Sequence, residues 1–298
     1  MSIGRNGIKM SAKDFFKAVG KAVAYFALYY VWQVIAVNFV AAGAAASALS
    51  QYEGGLNDYY AFADEIYYYV YETVNRFSLH ITVAAGLLTL ITYFIIFKLR
   101  GKKPLFEVGI TKLPLSRIPI LILFGFSLNM LVSVIIGIIP FPESWIESYA
   151  EATAVISESG IAMTLITTLI CAPIVEEVTF RGLIYSRLAK GMPMFAAMLI
   201  SAWIFGVAHG NVIQMLYASL IGYIICYIRI KYNSLAASIL VHFGFNLFSV
   251  AMSFIGETDQ FISGLIMIAG AALSLALLIY IMNTNKYKVE YTFGGQNG

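Results

Sequence analysis

Charged residues are scarce in this sequence: Lys, Arg, Asp and Glu make up 12% of its 298 residues, while hydrophobic residues make up 60%. Soluble domains usually carry about 25% charged residues, so this scarcity excludes a water-soluble globular protein. No polar block is long enough to form a separate soluble domain. A basic patch interleaved with aromatic residues is also missing, which argues against a nucleic-acid partner. The composition therefore predicts a protein that crosses a membrane several times.

Cysteine is rare as well. Cys171 and Cys226 both fall in apolar segments and share no spacing typical of a metal site. We therefore predict two small buried side chains and no disulfide between them. Signatures of several intramembrane hydrolases are missing too, namely His-Glu-x-x-His, Gly-x-Ser-Gly and Gly-x-Gly-Asp.

Long apolar runs predict an all-α polytopic membrane protein with a bundle of about eight transmembrane helices. The basic stretch 1–21 predicts an additional interfacial helix before the first span. The acidic segments 50–78 and 140–158 are predicted as loops. The predicted spans are 22–49, 79–97, 118–139, 160–181 (continuing helically to about 188), 193–209, 212–228, 235–254 and 261–282.

The distribution of charge predicts the orientation in the membrane. If the N-terminus is cytoplasmic, 18 of the 19 Lys and Arg residues fall on the cytoplasmic side, and Arg76 is the exception. The positive-inside rule then places both termini in the cytoplasm. We divide the chain into an N-terminal transmembrane region at 1–159, a core at 160–250, and a final span with a cytoplasmic tail at 251–298.

Two adjacent carboxylates, Glu176 and Glu177, end the otherwise uncharged apolar run 160–175. A charge at membrane depth costs about 2.5–3.5 kcal/mol on insertion scales, so such residues usually face a protein interior or a wet cavity. Arg181 lies four residues after Glu177, on the same helical face, where the two can neutralise each other. Glu176 has no local partner. Pro173, just before the pair, lacks an N–H and is expected to bend the helix and open space.

Two of the three histidines lie in apolar helices. His209 follows Phe205 by four residues, and His242 precedes Asn246 by four, so each pair shares one helical face. Counting about 1.5 Å per residue from the intervening turns brings Glu176, His209 and His242 to similar depth in the cytoplasmic half. Three separate helices are therefore expected to meet around one polar site.

These residue types suit hydrolysis by an activated water. A carboxylate and an imidazole can deprotonate and hold the water, while a second imidazole and an amide NH2 can stabilise an oxyanion. Glu176, His209 and His242 could equally bind zinc with one open position. The histidines could also serve only as interhelical hydrogen-bonding groups, and the two carboxylates as a solvated helix end. Spacing alone does not decide between hydrolysis by activated water, zinc binding and these two structural roles.

The ordered set of motifs resembles the CPBP (Abi) family of intramembrane proteases, which includes the type II CAAX prenyl endopeptidases. The motifs are Glu-Glu-x-x-x-Arg from Glu176, Phe-x-x-x-His from Phe205 and His-x-x-x-Asn from His242. By this resemblance, Glu176 and His209 activate the water, and His242 and Asn246 form the oxyanion site. Glu177, Arg181 and Phe205 support the site.

The resemblance implies an endopeptidase that cleaves a membrane-associated or lipidated peptide or protein. No cofactor is required on the preferred mechanism, and zinc is the alternative. We expect a bacterial or archaeal plasma membrane location, with the active site opening to the cytoplasmic side. Rival hypotheses are a non-catalytic scaffold of the same fold, serving bacteriocin immunity or sensor-kinase regulation, and a proton-coupled transporter. No inverted repeat supports the transporter.

Overall fold

A computed structural model describes residues 11–51, 59–158, 160–254 and 259–284, and every regular element in these ranges is a helix. The predicted all-α class is therefore confirmed. The helices are α1 (Ala12–Ser50), α2 (Tyr59–Arg76), α3 (Ser78–Leu99), α4 (Pro104–Glu107), α5 (Ile118–Gly137), α6 (Glu143–Glu158), α7 (Ile161–Leu188), α8 (Met194–Val207), α9 (Val212–Tyr232), α10 (Leu235–Ser253) and α11 (Gln260–Thr284).

The surface of this bundle is apolar, unlike the surface of a soluble protein. Large apolar side chains such as Phe39, Trp203 and Ile268 are more than half exposed, whereas Glu177 and Arg181 are fully buried. Seven of the described helices are long and apolar enough to cross a membrane. The protein is thus an all-helical polytopic membrane protein.

The predicted span at 193–209 contains a helix that is shorter than the hydrocarbon core of a bilayer. Helix α8 has 14 residues, which gives a length of about 21 Å against a hydrocarbon core of about 30 Å. The sequence predicted a span over 193–209. The helix ends two residues before His209, so that side chain lies where the helix ends and the chain turns into α9.

The described part of the interfacial helix predicted at 1–21 is not a separate element. Residues 12–21 belong to the same 39-residue helix as the first span. This helix begins at a capping box, in which the Asp14 N–H donates to Ser11 Oγ at 3.1 Å. Residues 1–10 of the predicted interfacial helix and the tail 285–298 lie outside the described residues.

Both segments predicted as acidic loops contain a helix instead. Residues 59–76 form α2 and residues 143–158 form α6, and these two helices contact each other. Part of the first predicted loop, 52–58, lies outside the described residues. The prediction failed because it sought long apolar runs, whereas α6 has only one partly buried face, which carries Tyr149 and Thr153 four residues apart.

Helices α5 and α10 pack with their backbones in close approach. A side chain on Gly125 would meet the carbonyl oxygen of Val241, and one on Gly244 would meet that of Ile122. Glycine at both positions lets the helices come this near, as small residues commonly do between membrane helices. Helix α10 is thereby fixed against the N-terminal part of the protein and carries His242 into the centre of the bundle.

Candidate active site

The first element of the site is a buried ion cluster around Glu177. Arg181 Nη1 donates to Glu177 Oε1 at 2.8 Å, which confirms the predicted pairing along one helical face. His242 Nδ1 bonds to the same carboxylate oxygen at 2.9 Å. Both Glu177 and Arg181 are 0% exposed. The cluster therefore joins α7 to α10 and fixes the orientation of the His242 ring.

The Glu177 contact also determines what His242 offers to the site. Because a carboxylate can only accept, Nδ1 carries the hydrogen, and Nε2 faces the other carboxylate. His242 Nε2 lies 3.7 Å from Glu176 Oε2. These two atoms form an ion pair only when the ring is protonated.

The second histidine is oriented by its own helix. His209 Nδ1 donates to the carbonyl oxygen of Phe205 at 2.8 Å. A carbonyl oxygen can only accept, so Nδ1 carries the hydrogen and Nε2 keeps its lone pair when the ring is neutral. The Phe205 ring packs edge-on against both imidazoles, with centroid distances of 4.9 Å to His209 and 6.0 Å to His242.

Phe205 connects the imidazoles to the buried ion cluster. Arg181 Cζ lies 4.2 Å from the centroid of the Phe205 ring, a cation–π contact. Gly222 of α9 makes room for it, because an added Cβ would come within 3.0 Å of Arg181 Nη2 and 3.1 Å of Phe205 Cδ1. Sequence reasoning missed Gly222, because its importance depends on a contact between helices.

Asn246 is held by an irregular part of α7. Residues Leu165–Cys171 are π-helical, and the N–H of Ala172 donates to the Thr167 carbonyl oxygen, five residues back. In this register the donor for the Thr168 carbonyl would be Pro173, which has no N–H. Asn246 Nδ2 donates to the Thr168 oxygen instead, at 2.8 Å. One amide hydrogen of Asn246 is thus used for positioning, and the other stays available.

The four predicted catalytic residues and one of the three supporting residues, Phe205, line one cavity of about 560 Å³. Glu176 comes from α7, His209 and Phe205 come from the C-terminal end of α8, and His242 and Asn246 come from α10. Glu177 and Arg181 lie behind this wall rather than in it. The sequence did not identify the uncharged polar side chains that complete the lining, which include Tyr149, Thr153, Thr164, Gln214, Tyr217 and Ser249.

Comparison with known proteins finds a family match over the part of the chain that contains these residues. Residues 158–248 match the family model described as Rce1-like, type II CAAX prenyl endopeptidase Rce1-like. The resemblance predicted from the motifs is confirmed. This Rce1-like segment contains all seven predicted site residues, from Glu176 to Asn246.

One curated relative extends the comparison. "Putative membrane peptidase YdiL" of Bacillus subtilis (strain 168) is 28% identical over 130 residues, which cover 43% of this chain and 53% of that protein. The match thus spans about half the length of the relative. No solved structure matches the chain.

The cavity extends along the helices from Glu176 and His242. Its lining reaches Ile161, at the start of α7, and Phe254, just after α10. Both of these lie at the end of the bundle where α6 is found. The cytoplasmic opening predicted from the sequence stays a prediction.

The zinc alternative was predicted to use Glu176, His209 and His242. Among the residues that the structure describes, no three side chains of His, Cys, Asp or Glu are grouped as a metal site. The Nδ1 atoms of both histidines are engaged, with Phe205 and with Glu177, which leaves Nε2 of each ring as the nitrogen that could bind a metal. The three side chains are not grouped as a three-ligand zinc site in this arrangement, and zinc remains a hypothesis for experiment.

Proposed function

We propose that this protein is a membrane-embedded endopeptidase, which hydrolyses a peptide bond of a membrane-associated or lipidated polypeptide with an activated water. The observation that carries the proposal is the convergence of Glu176, His209, His242 and Asn246 on one cavity. The match of residues 158–248 to a prenyl endopeptidase family and the name of the Bacillus subtilis relative support it.

Glu176 and His209 are suited to prepare the water. The Glu176 carboxylate lines the cavity, and His242 is its one ion-pair partner within 4 Å among the described residues, so it can accept a proton from water. His209 Nε2 offers a second acceptor that orients the same water. The water oxygen bonds to the carbonyl carbon, the C–N bond breaks, and the proton taken by Glu176 passes to the leaving nitrogen.

His242 and Asn246 are suited to stabilise the oxyanion. With a hydrogen on Nε2 as well as on Nδ1, His242 is a donor whose ring is held by Glu177. Asn246 contributes the amide hydrogen that Thr168 does not use. Removing one such donor from a comparable site costs about 2.7–4 kcal/mol in transition-state stabilisation.

The test is hydrolysis by the purified full-length protein in lipid nanodiscs. A library of quenched fluorescent peptides is incubated in water enriched in oxygen-18, and the products are sequenced by mass spectrometry. We expect new carboxyl termini that carry one oxygen-18 atom, and none with Glu176→Gln. Cleavage that survives 1,10-phenanthroline supports the metal-free mechanism, and cleavage that is lost and then restored by zinc supports the alternative. No cleavage by the wild-type protein would favour the scaffold hypothesis.

Replacing Pro173 tests the positioning of Asn246. Pro173→Ala restores an N–H five residues after Thr168, which competes with Asn246 for the Thr168 carbonyl. We expect kcat to fall about tenfold through misplacement of the amide, with KM little changed and Tm preserved. Pro104→Ala, at the first turn of α4, is the matched control. An unchanged kcat would show that Pro173 does not position Asn246.

A further inference from the structure

A group of basic side chains lies where α1 begins and where α3 and α7 end, away from the cavity. This basic cluster consists of Lys21 on α1, Arg100 and Lys102 after α3, and Arg187 and Lys190 at the end of α7. Lys21 is close enough to Arg187 and Arg100 to interact with their charges. Lys190 interacts in the same way with Arg187 and Lys102. By the positive-inside rule, this end of the bundle is predicted to face the cytoplasm.

Close packing of the end of α7 against α1 brings these charges together. Gly191 follows Lys190 directly, and a Cβ added to it would meet the side chain of Ala18 on α1. Arg187 Cζ lies 5.7 Å from the centroid of the Tyr25 ring, also on α1. Both Ala18 and Tyr25 are buried. The backbone that carries Arg187 and Lys190 is therefore held in place against α1.

One carboxylate balances part of this positive charge. Glu107 of α4 accepts a hydrogen bond from Arg187 Nη2 at 2.9 Å, and its other oxygen lies 3.5 Å from Lys102 Nζ. Within the described ranges, the other three members of the basic cluster have no carboxylate within 4 Å. Asp14, the other described carboxylate at this end, bonds to Ser11 at the start of α1. The basic cluster thus keeps a large excess of positive charge.

The crowding of positive charge affects Lys190. Removal of water around its ammonium group lowers the pKa of Lys190, and the charge of Arg187 lowers it further. Lys21 and Lys102 act in the same direction, and Glu107 acts against them. Like charges this close repel each other, so an anion bound among them would stabilise the arrangement.

Arg187 is oriented to bind such an anion. It is 8% exposed, and its one hydrogen bond within the described residues is the bond from Nη2 to Glu107. A guanidinium group has five N–H donors and can bind a phosphate with two of them in parallel. Arg187 therefore offers further donors from a side chain that Glu107 and Tyr25 already hold.

Exposed apolar side chains border the basic cluster. Val23 lies two residues after Lys21 and is 59% exposed, and Leu99 lies next to Arg100 and is 82% exposed. In a membrane such side chains contact acyl chains, which places the basic cluster at the level of the lipid headgroups. Basic pockets between membrane helices on the cytoplasmic side commonly bind phosphorylated headgroups.

We propose that the basic cluster binds a phosphate group, with Arg187, Lys21 and Lys190 as its main donors. The location at the membrane surface favours the headgroup of an anionic phospholipid as the source of this phosphate, and a soluble phosphate compound is the other source. The site is separate from the cavity, so it does not rest on the proposed hydrolysis.

Native mass spectrometry of the full-length protein, released from detergent micelles, measures the binding of phosphatidylglycerol. Phosphatidylcholine with the same acyl chains is the control lipid. We expect the double variant Lys21→Gln, Lys190→Gln to bind phosphatidylglycerol at least about tenfold more weakly, since each basic residue near an anionic lipid surface contributes roughly fivefold. The matched control is Lys13→Gln, Lys112→Gln, which removes two exposed charges at the same end and should bind like the wild type.

The two double variants should unfold at the wild-type Tm, because all four side chains are exposed and make no ion pair within the described ranges. Equal weakening in both variants would overturn the site, since only the net surface charge would then matter. Equal binding of the two lipids would overturn the preference for an anionic headgroup.

Inorganic phosphate distinguishes the two sources. If it raises the Tm of the wild type but not that of Lys21→Gln, Lys190→Gln, while phosphatidylglycerol does not bind, the ligand is a soluble phosphate compound. If neither probe distinguishes the wild type from this variant, the proposal is wrong.

Discussion

Glu176→Gln is expected to lower the rate of peptide cleavage by roughly 10²- to 10⁴-fold, the range for loss of a general base. The amide is nearly the same size as the carboxylate but cannot take a proton from water. Glu176 is only partly buried in the cavity wall, and within the described ranges its one ion pair is with His242 at 3.7 Å. The fold should therefore tolerate the change, with Tm close to that of the wild type.

The matched control for this variant is Glu147→Gln, which removes a carboxylate from the exposed face of α6. Initial rates of peptide cleavage and thermal unfolding are measured for both variants in the same nanodiscs. Cleavage by Glu176→Gln at the wild-type rate would rule out Glu176 as the base, and the mechanism proposed here with it.

Arg181→Ala is expected to destabilise the protein by about 3–5 kcal/mol, the usual cost of leaving a buried charge without its partner. Arg181 donates to Glu177 at 2.8 Å and stacks on Phe205, and all of its side chain is buried. Its loss leaves the Glu177 carboxylate paired only with His242. The double variant Arg181→Met, Glu177→Gln removes both charges and should recover much of the stability, since replacing a whole buried pair is often neutral.

Urea unfolding in detergent measures these differences, with Arg100→Ala as the control at an exposed arginine. The double variant should stay catalytically impaired even when stable, because His242 loses the carboxylate that orients its ring. A single Arg181→Ala variant as stable as Arg100→Ala would show that the cluster does not hold α7 and α10 together.

Contacts within one helix could be predicted from the sequence. The pairs Glu177–Arg181 and Phe205–His209 are each four residues apart, and each is a direct contact in the structure. Helical geometry fixes the relative position of such residues before any packing occurs. The all-α class could also be predicted from the sequence, because long apolar runs with few charges indicate helices that span a membrane.

Contacts between helices could not be predicted, because they depend on how far each helix is rotated and shifted against its neighbours. His242 binds Glu177 across 65 residues, and Asn246 binds Thr168 across 78. Gly222 matters only because Arg181 and Phe205 pack against it.

The sequence by itself determined which polar residues lie at membrane depth. Burying a charge is costly, so a charged residue at this depth usually has a function. Only the tertiary structure decided which of them face the cavity and which lie behind it. It also decided toward which end of the bundle the cavity extends. That direction depends on where side chains fill the space between helices, and periodicity along one helix carries no information about this.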